Sequence, residues 1–244
     1  MKKVLITGAN KSIGFETARQ LLQKGYYVYL GSRNIKNGQN AVEKLTAEGL
    51  HEVETIQIDV SNAESVKAAR TQIGQKTKVL DVLINNAGIS GGMPQTASTP
   101  VTVFKQVFDT NLFGVVQVTQ AFMDLLQKSE QPRIVNVTSG LGSLTLNNDP
   151  TYKHYPVKAA AYNSSKAALN MYTIVLAYEL RNTPFKVNAV DPGYTATDFN
   201  RHTGPGTVED AAERLVKCAM IADGGPTATF FSDDNSPETG ISPW

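Results

Sequence analysis

Short apolar or β-branched runs recur along the chain at Lys3–Ile6, Tyr27–Leu30, Glu54–Ile58, Val79–Ile84, Arg133–Val137 and Lys186–Val190, with a weaker one at Ala228–Phe231. Runs of this kind read as strands. Between them apolar residues return at helical spacing: Phe15, Ala18, Leu21 and Leu22; Ala41, Val42 and Leu45; Val66, Ala69 and Ile73; Val115, Val118, Phe122 and Leu125. A strand that follows a helix and lies parallel to the preceding strand must be reached by a crossover, so this β-α alternation predicts a doubly wound parallel sheet of about seven strands with helices on both faces. Ligands of such sheets bind beyond the carboxyl ends of the strands, where the winding direction reverses. Polar motifs placed just after a strand therefore carry the functional information.

Composition narrows the class without changing that picture. The chain has 244 residues, 41% of them apolar, which is enough for one full core, and residues 1–244 read as a single domain. Lys and Arg number 23 against 22 Asp and Glu, so neither nucleic acid nor an anionic membrane is an expected partner. No apolar stretch approaches the roughly 20 residues needed to span a bilayer. The single cysteine, Cys218, cannot form an intramolecular disulfide, and the expected location is the cytoplasm. His51, His154 and His202 are scattered with no acidic or cysteine cluster beside them, so no metal site is expected. Stretches rich in glycine, proline and polar residues at about 90–100, 140–160 and 192–207 are read as loops around a substrate pocket, and 224–244 as a terminal extension.

The first strand runs into "TGANKSIG". Gly8 and Gly14 bracket Asn10, Lys11, Ser12 and Ile13, and the helix behind them offers free backbone N–H groups, a ready site for an anion such as a dinucleotide pyrophosphate. About 20 residues further on, the end of the second strand usually carries an acid when the ribose is unphosphorylated. Here it reads "YLGSRN". Arg33 can grip a 2′-phosphate and Lys11 can approach it from the other side, each contact worth roughly 4 kcal/mol at 4 Å before desolvation. NADP(H) is therefore expected over NAD(H). Asp59, with Val60 beside it in "IDVS", either accepts a bond from the adenine amino group or caps the next helix. Asn86, Ala87 and Gly88 in "LINNAG" allow close backbone approach by a flat ligand, or make only a tight turn.

Ser139 ends the fifth strand in "VTSG". In "YNSSKAALNMY", Tyr162 and Lys166 lie one helical turn apart and share a face. Delivering a proton to a carbonyl oxygen as hydride reaches its carbon requires an acid with a pKa near working pH, and free tyrosine, at about 10, is roughly 4 kcal/mol too weak. A neighbouring ammonium lowers that pKa, and Lys166 is placed to supply it. Ser139 can hold the substrate oxygen. Asn111 in "DTNLFG" falls within a predicted helix, where asparagine can disturb the ladder; it is either a water-positioning member of a proton relay or an exposed polar residue.

With these residues in one order, the chain resembles the short-chain dehydrogenases/reductases over essentially its whole length, and among them the NADPH-dependent carbonyl reductases. The resemblance implies a Rossmann-type fold, Tyr162 as proton donor or acceptor, Lys166 also on the nicotinamide ribose, Ser139 orienting the substrate and Asn111 supporting the relay. It also implies that the segment Pro192 to Thr197, within "DPGYTATD", lies over the nicotinamide, with Pro192, Gly193 and Thr195 as cofactor contacts, and that the substrate is a small carbonyl compound. The sequence departs from the family in two places: Ser12 stands where the middle glycine of the loop is usual, and the stretch from Ser139 to Tyr162 is long. That stretch either walls the pocket or covers a helix face used elsewhere for assembly, so a homo-oligomer is left open. The short run from Asp198 to the next helical pattern at Val208 implies an open pocket. Epimerases of the extended branch place two residues between the first glycines where three lie here, and enoyl reductases use a longer Tyr-to-Lys interval. A catalytically silent NADPH-binding sensor is the rival from another class, and it predicts damage among Ser139, Tyr162 and Lys166; all three are present.

Overall fold

The structure, a computed structural model, describes residues 1–244. Its strands are β1 (Lys3–Ile6), β2 (Tyr27–Ser32), β3 (Val53–Gln57), β4 (Val82–Asn85), β5 (Arg133–Val137), β6 (Lys186–Val190) and β7 (Phe230–Phe231). The helices are α1 (Ser12–Gln23), α2 (Ile35–Ala47), α3 (Ala63–Lys76), α4 (Val101–Phe108), α5 (Gly114–Leu126), α6 (Leu144–Asn147), α7 (Ala160–Glu179) and α8 (Val208–Ala219). One seven-stranded sheet runs in the order β3-β2-β1-β4-β5-β6-β7, and every pairing is parallel. The winding reverses between β1 and β4.

Strand alternation divides the core between the two faces. Val4 and Ile6 of β1 join Ala18, Leu21 and Leu215 from α1 and α8, whereas Leu5 joins Ile73, Phe122 and Leu176 from α3, α5 and α7. All three β1 side chains are fully buried. A strand covered on both sides has no polar face to show, which is why it reads as a continuous apolar run.

The observed boundaries differ from the expected ones where local bonds intervene. The fourth strand begins at Val82 instead of Val79, because the Val79 amide and carbonyl are both taken by the Thr77 hydroxyl and the Leu80 amide donates to Leu125 of α5. Asn111 does disturb its helix: residues Asp109–Phe113 form a π turn between α4 and α5. It is also fully buried, which removes the exposed-residue alternative. The 224–244 extension contributes β7, and then Ile241 bridges back antiparallel to Phe231 and the Trp244 carbonyl accepts from Thr145.

The long stretch before Tyr162 packs over the carboxyl edge of the sheet. Tyr152 bonds to Asn235, Lys153 pairs with Asp234, and the His154 ring meets Tyr194 edge-on at 5.8 Å. It leaves Met171, Val175 and Tyr178 of α7 exposed. No helix is long and apolar enough to cross a membrane.

Candidate active site

The Gly-rich turn is fastened from below by the exit of β4. The Thr7 hydroxyl accepts from the Asn86 and Ala87 amides at 3.0 and 3.1 Å, and Asn86 Nδ2 donates to the carbonyls of Thr7 (2.8 Å) and Gly8 (3.1 Å). Gly8 has φ +63°, and a Cβ there would stand 3.0 Å from Ala87 Cα. At Gly14 a Cβ would meet Gly8 O at 2.8 Å. Ser12, the departure from the family pattern, has φ +51° and so adopts the left-handed conformation of the glycine it replaces, at a cost of about 1–2 kcal/mol. Lys11 supplies no capping side chain to α1, and the amides of Ser12, Ile13 and Gly14 donate to no protein acceptor. A helix end with unspent donors above a turn that side chains cannot fill fits a dinucleotide pyrophosphate.

The residues expected at the adenosine end divide. Arg33 follows β2 directly and its side chain is exposed. The Lys11 ammonium pairs with Asp198 at 2.8 Å, and Asp198 also binds His202 Nε2 at 2.9 Å. That pair is solvated, with side-chain exposures of 62% and 49%, so it holds the lysine only weakly. Asp59 does not cap α3. That role belongs to Asn62, whose Oδ1 accepts from Ser65 N at 2.9 Å, while Asp59 accepts from the Ser61 amide and hydroxyl. The Val60 carbonyl accepts from Gln117 of α5.

Ser139, Tyr162, Lys166 and Asn111 come together beyond β4 and β5. Ser139 caps the 3₁₀ turn Gly140–Gly142, its hydroxyl accepting from Leu141 N at 3.2 Å, and its side chain favours the ionised form of the neighbouring Tyr162. Lys166 is buried; its ammonium donates to Val137 O at 2.7 Å and lies 5.7 Å from the centre of the Tyr162 ring. Gly88 closes the gap, since a Cβ on it would stand 3.4 Å from Asn111 Oδ1 and 3.7 Å from Lys166 Nζ. The Asn111 amide accepts from Ile89 N and donates to Ile89 O, both at 2.9 Å, and donates to Ser165 Oγ at 3.0 Å. Ser165 in turn donates to Tyr162 O at 2.7 Å, so the π turn is keyed to α7 at the tyrosine.

The protonation balance differs from the one expected of a Tyr/Lys pair. Burial pulls the Lys166 ammonium down to about 8, with Asp191 opposing. Burial and the Asp191 charge push the Tyr162 phenol above its ordinary value, and the neighbouring Ser139 hydroxyl only partly offsets them. In this state burial outweighs any lowering by the lysine.

The loop after β6 forms the remaining side. Gly193 has φ +81° and its amide donates to Asp191, Arg214 of α8 donates to Pro192 O at 2.5 Å, and the Thr195 hydroxyl turns inward to the carbonyls of Pro192 and Gly193. Phe199 lays its ring 5.4 Å from that of Tyr162 and is 46% exposed, giving the cleft an apolar flank. Sequence reasoning passed over Thr7, Ser165, Phe199 and Asp191. Only Asp191 carried a visible signal, a carboxylate one residue past a strand end on the ligand edge.

Geometry and fold together can be set against known proteins. The sequence profile of the short chain dehydrogenases matches residues 2–207. The chain belongs to the short-chain dehydrogenase family. It is 34% identical to a (+)-neomenthol dehydrogenase of Capsicum annuum, over 93% of this chain and 94% of that protein. With a (-)-isopiperitenone reductase of Mentha piperita it shares 34% identity over 95% and 96% of the two chains. The solved structure of salutaridine reductase from Papaver somniferum superposes with a TM-score of 0.84 at 30% identity, covering 95% of this chain and all of that one. As a short-chain dehydrogenase, the protein is an oxidoreductase acting on CH–OH or C=O groups.

Proposed function

We propose that this short-chain dehydrogenase is an NADPH-dependent carbonyl reductase that converts a small, largely apolar ketone or aldehyde to the alcohol, and the reverse. The observation that carries the reading is the convergence of Ser139, Tyr162 and buried Lys166, whose ammonium lies 5.7 Å from the centre of the tyrosine ring, at the strand edge that also holds the Gly-rich turn. Support for NADPH comes from the missing acid after β2 and from exposed Arg33 in its place. Asn10, Ser12, Ile13, Asp59, Val60, Ala87 and Thr195 complete the proposed cofactor contacts. We read residues 1–244 as one catalytic domain because all the strands share one sheet, and its single buried thiol suits the reducing cytoplasm.

Bound NADPH supplies the hydride. Ser139 holds the carbonyl oxygen against Tyr162. As the carbon gains its C–H bond, the C=O π pair moves onto oxygen and takes the proton of Tyr162 Oη, leaving a phenolate. A phenol pushed above its ordinary pKa is fully protonated at neutral pH but a weaker acid, so donation relies on a positive charge beside the phenolate that forms. Lys166 stabilises the phenolate, and Asn111 supports the route by which the proton is replaced.

The test follows NADPH and NADH oxidation separately across ketones, ketoesters and quinones. Tyr162→Phe is expected to abolish ketone reduction while NADPH still binds. Substantial residual turnover in that variant refutes the tyrosine as donor.

A further inference from the structure

One buried charge takes no part in the reaction just described. Asp191 is 5% exposed and forms no salt bridge. A buried carboxylate without a cation is costly, and one that persists asks for a reason. Its oxygens are ringed by donors. Oδ1 accepts from Gly193 N at 3.0 Å; Oδ2 accepts from Ser232 Oγ at 2.9 Å and from Asn235 Nδ2 at 3.1 Å. Burial pushes the carboxyl pKa up, and these bonds oppose it; the Gly193 and Asn235 amides can only donate, so the ring is built for the carboxylate.

Its place in the sheet sets what the charge acts on. Val190 pairs with Val137, so Asp191 leaves β6 beside the point where β5 runs out into Thr138 and Ser139. Asn235, which donates to Asp191, stands against Gly140, and that turn continues to Gly142, where a Cβ would touch the Lys166 backbone at 2.8 Å. The turn Asp191 binds at Gly193 leads to Thr195. Ser232 and Asn235 come from the C-terminal segment, and Asn235 passes the connection to Tyr152 in the long wall.

We propose that Asp191 is a positioning residue of the reaction: one buried negative charge that ties the Gly193 turn directly, and the Gly140 turn through Asn235, to the C-terminal segment and sets the pH range over which Tyr162 and Lys166 work. The inference rests on the reading of Tyr162 and Lys166 given above. The charge disfavours loss of the tyrosine proton and favours retention of the lysine proton, and both effects appear in the electrostatics of the pair. Other ionisable groups face the same region. They are Tyr152 and His154 with Lys153 on the wall, Asp233 and Asp234 on the C-terminal segment, and Arg214 and Lys217 of α8. Arg214 also lies within 3.5 Å of Asp233 and Lys153 within 2.8 Å of Asp234, so these charges are largely matched among themselves. Asp191 is the buried one that is not.

The sign of the test follows. Reduction needs the phenol and the ammonium both protonated, and it is lost on the alkaline side as either gives up its proton. Asp191→Asn removes the charge and nearly keeps the shape, so the alkaline limb of kcat/KM for reduction is expected to move to lower pH by about half a unit or more. An ultraviolet difference titration of cofactor-free protein, each form against its Tyr162→Phe counterpart, is expected to show tyrosinate appearing at lower pH. Asp191→Glu restores the charge and is expected to bring the limb back toward wild type. Ser232→Ala removes one donor and keeps the charge; it is expected to lower the thermal midpoint and leave the limb in place. Should Asp191→Asn not fold, Asp191→Ser takes its place with the same expected shift. An unmoved limb and titration in the neutral variant, or an equal shift in Ser232→Ala, overturns the proposal and leaves the function reading intact. Wild-type protein that reduces no carbonyl overturns both.

Discussion

Gly142 offers a test of how the Tyr162 and Lys166 pair is seated. The 3₁₀ turn Gly140–Gly142 packs on α7, and a Cβ added at Gly142 would lie 2.8 Å from both the carbonyl carbon and the Cβ of Lys166 and 3.1 Å from Ala167 N. Two of those atoms belong to helix backbone, which cannot turn aside as a flexible side-chain end can. The φ of Gly142 is not in the left-handed region, so backbone conformation brings no penalty, and alanine would by itself gain about 0.4–1 kcal/mol through the unfolded state. The contact therefore decides the sign. Relieving it means moving α7 outward by more than half an ångström or so, an overpacking cost of about 1–3 kcal/mol. Net destabilisation of about 1–2 kcal/mol is expected for Gly142→Ala, a fall of roughly 2–8 °C in Tm for a chain of this size. The same displacement carries Tyr162 and Lys166 away from Ser139, and misplacement on that scale can cost about 10²-fold in rate. Thermal unfolding and steady-state ketone reduction on the same preparation check both numbers. Wild-type Tm with wild-type kcat/KM would show that the turn does not set the helix position.

Two substitutions address the cofactor. Ser12 already holds the glycine conformation, so its hydroxyl is free to bond a phosphate; Ser12→Gly is expected to weaken NADPH binding about tenfold, the scale of one hydrogen bond to a charged acceptor, while Tm holds or rises as left-handed strain is relieved. Tighter NADPH binding in a titration would assign the serine to strain alone. Arg33→Asp is expected to shift the ratio of NADPH to NADH efficiency toward NADH by at least about tenfold, since it exchanges a phosphate partner for a ribose partner. An unchanged ratio would show that Arg33 does not read the phosphate.

Much of the fold and the core of the site are legible in the residue order. The β-α alternation specified a parallel doubly wound sheet because a parallel neighbour can be reached only by a crossover, and every expected strand is present. That topology alone sends "TGANKSIG", "NNAG", Ser139 and the Pro192–Thr195 turn to one edge. The spacing of Tyr162 and Lys166 placed them on one face because helical geometry is local. What depends on distant partners was not legible. The ion pair of Lys11 with Asp198 joins residues far apart in sequence. The Tyr/Lys balance is set by burial and by Asp191, which no spacing rule brings near α7. Asn111 shows the boundary most clearly. Its tendency to disturb a helix is a property of the residue, but its burial, its bond to Ser165 and the π turn that keys it to Tyr162 exist only once α5 and α7 lie against the same sheet. Local preference and chain topology were written in the sequence; pKa values, ion-pair partners and the stapling of one loop by another arise from long-range packing, and only the tertiary structure decided them.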